Sequence, residues 1–129
     1  MAYNAFGTFT LNPAAASTLY TAFTFSAAGI YRIKINRYYL PVNYLLDLSF
    51  QQYDTSSKVN LYEMSDGHWD IFNLSAPPAQ PANGFGPLWE SPFDLSVPYG
   101  GVLIYQIIML NGATFAALTT ALNGIVEQA

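Results

Sequence analysis

A chain of 129 residues is long enough for one domain with its own hydrophobic core, and no linker divides it, so residues 1–129 are expected to form a single unit. Only 9% of the residues are charged, against about 25% in ordinary soluble domains, while 52% are hydrophobic and 16% aromatic. A net charge of −4 opposes a nucleic-acid backbone as the primary ligand, and the absence of cysteine excludes disulfides, thiolate metal sites and cysteine nucleophiles.

Alternation of apolar and polar residues, rich in β-branched and aromatic types, predicts strands at Ala5–Leu11, Thr18–Ser26 and Ile30–Tyr38. The third of these carries Arg32 and Lys34, with Arg37 following, so it holds three of the four basic residues. Tyr31, Ile33 and Ile35 point one way and Arg32, Lys34 and Asn36 the other, the pattern of a strand with one wet face rather than a basic helix. Acids such as Asp47 on a neighbouring strand, or on the next subunit, are the expected partners of Arg32 and Lys34. A fourth strand, Val42–Tyr53, sets Val42, Tyr44, Leu46, Leu48 and Phe50 on an apolar face and Asn43, Asp47 and Ser49 on a polar one.

Lys58–Met64 and Trp69–Leu74 are the next strand candidates, divided by the turn segment SDGH. Leu74 to Pro92 is irregular and contains five prolines, a length usual for functional or mobile loops. Phe93–Val97 and Val102–Leu110 resume the strand pattern, and the second has no clearly wet face. At nine residues with Gln106 inside it, that run is far short of the ~20 residues of a membrane-spanning helix. The tail favours a strand from Ala113 to about Leu122, ending at Asn123-Gly124, over a short helix. These short strands predict an all-β, antiparallel β-sandwich of jelly-roll type.

The chemistry of catalysis is thinly represented. His68 is the single histidine, no Gly-x-Ser-x-Gly elbow accompanies it, and a polar turn residue is its default reading. Glu63, Asp66 and Asp70 around it form no EF-hand pattern and read as a solvated acidic turn. Gly84 to Pro87 lacks the Lys and the spacing of a phosphate loop. No metal site, cofactor or enzymatic activity is expected. Trp69, Phe85 and Trp89 near the long loop are candidates for a platform that stacks on sugars or meets a receptor, against the alternative that they are core or interface anchors.

Two stretches carry a family likeness. FTFSAAGIYRIKI places Phe23, Gly29, Tyr31, Ile33 and Ile35 in a Phe-x5-Gly-x-Tyr strand pattern, with Phe6 and Asn12 upstream, and VPYGGVLIYQIIMLNGATFAAL follows as a closing pair. This resembles the globular heads of the complement-subcomponent family, relatives of tumour necrosis factor. The resemblance implies a compact ten-strand jelly roll that trimerises without catalysis, a fold type similar to those of virus capsid, fibre-head and decoration proteins.

A chain so poor in charge is expected to hide surface against copies of itself. Arg32, Lys34, Tyr38, Tyr39, Tyr105, Ile107 and Phe115 are the candidate interface residues, because tyrosine buries a ring while its hydroxyl keeps a partner. Tyr31, Tyr44 and Tyr99 add to a tyrosine set from which several members are expected near the surface. The start MAYNAFGTFTLN has no basic segment before an apolar run, so use without classical export is expected. The expected function is a self-assembling, non-enzymatic structural subunit located in a virion. The alternative is a glycan- or receptor-binding module of an extracellular trimer.

Overall fold

The computed structural model describes residues 2–53, 69–76, 88–118 and 121–129. Nine strands occur among them: β1 Asn4–Leu11, β2 Tyr20–Phe25, β3 Gly29–Asn36, β4 Tyr44–Gln52, β5 Trp69–Ser75, β6 Trp89–Glu90, β7 Leu95–Val97, β8 Gly101–Met109 and β9 Leu122–Gln128. The described residues contain no helix. One sheet runs β1-β9-β3-β6 with β7 also on β3, and the other runs β2-β8-β4-β5. Every pairing is antiparallel, and the sheets stack as a sandwich. From β1 to β4 the chain alternates between sheets, β4 and β5 pair directly, β6 and β7 both return to β3 of the first sheet, and β8 and β9 then alternate again, an order consistent with a jelly roll.

The period-2 pattern explains the core. Tyr31, Ile33 and Ile35 of β3 face Leu46, Leu48 and Phe50 of β4 and Leu103 and Ile107 of β8, each at 5% exposure or less. Each fully buried aliphatic or phenyl side chain stabilises the sandwich by about 1.5–3 kcal/mol relative to solvent. Rings thread the sheets together, with Phe25 4.7 Å from Tyr31 and 5.9 Å from Phe50.

Strand β4 begins at Tyr44, not Val42, because Asn43 turns the chain at φ 68° and Tyr44 N–H donates to Pro41 O at 3.2 Å. Val42 is thereby left 76% exposed. The polar face of β4 is not wet as expected: Asp47 is 1% exposed and Ser49 0%. Between flanking strands β8 and β5, Gln106 Nε2 donates to Asp47 Oδ2 at 3.0 Å and Ser49 Oγ donates to Asp70 Oδ1 at 2.9 Å, so the row is a hydrogen-bonded polar layer. Asp70, expected in an acidic turn, is thus a strand residue of β5 that serves this layer.

The C-terminal segment departs furthest from expectation. Residues 113–118 form no strand, and the final strand is β9, which contains Asn123 and Gly124 rather than stopping at them. Gly124 lies opposite Phe9 of β1, and a Cβ there would stand 2.0 Å from the Phe9 ring. The glycine marks a place where a ring covers the backbone, not a reversal. Asn111-Gly112 makes the turn instead, with φ 55° and 70° and Ala113 N–H donating to Leu110 O. The candidate strand Lys58–Met64 lies outside the described residues.

Candidate functional site

The basic strand sits at the middle of the first sheet, and its outward side chains build a charged seam across three strands. Arg32 Nη1 is 3.0 Å from Glu90 Oε1 of β6 and its Nε is 3.8 Å from Asp94 Oδ1, just before β7. Lys34 Nζ is 2.9 Å from Glu127 Oε1 of β9. These contacts are diagonal, since Lys34 lies in register with Glu90 and Arg32 with Glu127. Tyr3, ahead of β1, lays its ring 3.7 Å under the Arg32 guanidinium and donates its hydroxyl to Asp94. That hydrogen bond, with burial, raises the Tyr3 phenol above its ordinary pKa.

The acids that meet Arg32 and Lys34 are thus Glu90, Asp94 and Glu127 of the same chain, not Asp47, which lies in the other sheet. Strand order explains the difference: β3 is bordered by β6, β7 and β9, none of which is near it in sequence. Both cations are engaged by carboxylates of their own chain. Arg37 lies outside this seam, exposed in the turn after β3 at φ 55°.

The tyrosines split into two groups. Tyr31, Tyr38, Tyr44 and Tyr105 lie inside the sandwich at 0%, 4%, 6% and 5% exposure, and Ile107 at 1%, so these side chains offer no surface to a second copy. Their hydroxyls hold the end of β5 and the segments between strands. Tyr38 donates to Ser75 O at 2.7 Å, Tyr31 to Ala27 O at 2.9 Å, and Tyr105 accepts from Asn12 N–H at 3.2 Å. Tyr44 donates to Ala116 O and accepts from Ala116 N–H, fixing the segment after the Asn111-Gly112 turn. Burial raises the phenol pKa of Tyr31, Tyr38 and Tyr105, most strongly for Tyr38. Tyr39 and Phe115 are half-buried, with the Phe115 ring 5.8 Å from that of Tyr44, and Tyr99 is 47% exposed.

Of the candidate ligand surface, Trp89 is half-buried with its ring edge against Phe72 at 5.4 Å. Phe85, the Trp69 side chain, His68, Glu63 and Asp66 lie outside the described residues. The exposed ring beside Trp89 is Phe93, 4.9 Å from Phe72, and Leu88 next to it is likewise open. Sequence reasoning singled out neither, because Leu88 falls in the segment read as a loop and Phe93 in one read as a strand. Among the described residues no group of three or more metal-ligating side chains converges, and no helix is long and apolar enough to cross a membrane.

No protein-family model, curated protein or solved structure matches this chain.

Proposed function

We propose that the chain is a non-enzymatic structural subunit that assembles with copies of itself, as the capsid, decoration or fibre-head proteins of virions do. The supporting observation is the distribution of charge. The seam on the outer face of the first sheet gathers Arg32, Lys34, Glu90, Asp94 and Glu127 and pairs both cations with carboxylates of the same chain. Elsewhere the surface carries Phe6, Leu19, Val42, Leu88, Phe93 and Tyr99, each at least 37% exposed. Scattered apolar residues are ordinary on a monomer, but a chain with so little charge has few means of keeping copies apart. The jelly-roll connectivity and the likeness to tumour-necrosis-factor-type heads belong to the same proposal, since both go with trimeric or larger closed assemblies.

Static light scattering across nanomolar to micromolar concentrations tests it. A mass of several chains at micromolar concentration is expected, and a mass of one chain throughout refutes assembly. A second reading, recognition of a receptor or glycan by an extracellular trimer, is favoured by the exposed Phe93 ring, which shares the Phe72 ring with half-buried Trp89. Replacing Phe93 by Ala then abolishes attachment and spares the oligomer. Under the first reading it changes neither.

A further inference from the structure

We infer that the free edge of β1 is the subunit interface, with β1 of one copy pairing antiparallel to β1 of a second across a twofold axis. The inference rests on the self-assembly reading and assigns its location. The first 31 residues carry no charged side chain, the earliest being Arg32. A segment of that length in an ordinary soluble domain carries about eight. This uncharged segment forms both strands on one side of the sandwich, β1 at the end of the first sheet and β2 at the end of the second. Among the described residues, β1 pairs only with β9 and β2 only with β8, so each has one unpaired backbone edge.

Monomeric β proteins blunt such edges with charges, prolines, bulges or very short strands. The opposite end of the first sheet does so. There β6 has two residues and β7 three, Pro92 lies between them, and Glu90 and Asp94 supply charge, while β5 at the same side of the second sheet has seven residues and carries Asp70. On the β1 side the only such devices are two bulges, one between Ala5 and Gly7 and one between Thr21 and Phe23. They leave Gly7–Leu11 as a regular, uninterrupted edge, its side chains free of charge and Thr8 and Thr10 exposed on its outer face.

A second copy is the occupant that fits. An uncharged edge is matched in charge and hydrogen-bonding pattern by itself, as an isologous contact requires. From β1 through β2 the segment supplies the 20–30 residues a side, roughly, that a standard interface uses. Phe6, 37% exposed and 4.9 Å from the Tyr31 ring, and Leu19, 41% exposed, lie in that segment as apolar area to be covered.

Lysines at Thr8→Lys and Thr10→Lys place like charges on one face of the joined strands, where cross-strand neighbours are about 5 Å apart. Asn73→Lys with Ser96→Lys adds the same charge to the opposite edges. Mass is followed by light scattering over a dilution series, with circular dichroism confirming that each variant folds. The T8K/T10K pair is expected to move the association midpoint about tenfold or more to higher concentration, and N73K/S96K is expected to leave it in place. An oligomer insensitive to T8K/T10K, or dissociated by N73K/S96K alone, overturns the inference while the assembly reading stands. A wild-type chain that never associates overturns both. Hydrogen exchange on the wild type decides the matter without a variant: the β1 amides turned away from β9 are expected to be protected in the oligomer and to lose protection on dilution. Equal exchange in both states refutes the pairing.

Discussion

Gly124→Ala tests the register that presents β1 at the side of the sandwich. A Cβ at that position would lie 2.0 and 2.1 Å from two atoms of the Phe9 ring, where carbon atoms ordinarily rest about 3.5–4.0 Å apart. The ring must therefore retreat by about 1.5 Å, yet Phe9 is only 6% exposed and Phe23 stands 6.5 Å away, ring centre to ring centre. Overpacking of this kind costs about 1–3 kcal/mol. Against it stands the gain of about 0.5–1 kcal/mol from replacing glycine inside a strand. The net expectation is a loss of about 1–2 kcal/mol, read as a lower urea midpoint at unchanged slope. Phe9→Ala alone should cost about 3–5 kcal/mol by emptying the same space. In that background the clash is gone, so Gly124→Ala should become neutral or slightly stabilising, giving a coupling of about 1–3 kcal/mol in the double-mutant cycle. Two effects that add to within about 0.5 kcal/mol would show that Phe9 does not lie over Gly124, and the β1–β9 register would fall with it.

Lys34→Gln removes a half-exposed pair whose partners are in one chain, so it should lower stability by about 0.2–1 kcal/mol in thermal melts and leave the assembled mass unchanged. For the same reason 1 M salt, with a Debye length of about 3 Å, should not dissociate the oligomer, and a mass falling to one chain would move the seam between subunits. Because burial raises the Tyr38 phenol above its ordinary 10.0, the neutral form is favoured on folding: its stabilisation is complete below about pH 10 and declines above it by about 1.4 kcal/mol per pH unit. Tyr38→Phe should flatten that part of the alkaline profile in urea titrations, and an unchanged slope would refute the assignment. Tyr44→Phe loses both hydrogen bonds to Ala116 and should cost about 1–2 kcal/mol while exposing residues 113–118 to proteolysis, with no change in cleavage as the contrary result.

The existence of strands was legible because side chains on a pleated sheet alternate, and β3 and β8 fall within two residues of their expected bounds. What depended on partners from elsewhere in the chain was not. Asp47 looked wet because its strand alternates, but it lies between Gln106 and Asn73 on adjoining strands, accepts from Gln106 and is itself 1% exposed. Asn123-Gly124 carries the same dipeptide as Asn111-Gly112, and only the ring of Phe9 distinguishes a strand glycine from a turn glycine. The partners of Arg32 needed the strand order, which brings Glu90 and Asp94 beside it from the far side of the long loop. The tyrosines misled for a subtler reason: loop backbone supplies the hydroxyl partner that an interface was expected to supply.

That substitution bears on assembly. Phenol groups inside the sandwich tie down Ser75, Ala27, Ala116 and Asn12, so the ends of the two sheets are closed by contacts within one chain. The charged seam likewise binds β3 to its neighbours β6 and β9 and secures Tyr3 across the outer face. A subunit finished in this way on one face and at its ends has its unpaired backbone along the strand edges. Of the two ends of the first sheet, the one formed by β6 and β7 is shortened and charged, and the β1 end is neither. Under the proposed pairing of β1 edges, folding and association draw on different residues, and substitutions at Thr8 or Thr10 separate the two in a way that Tyr38, Tyr105 or Ile107 cannot, since removing a core side chain disturbs the fold before it reaches any interface.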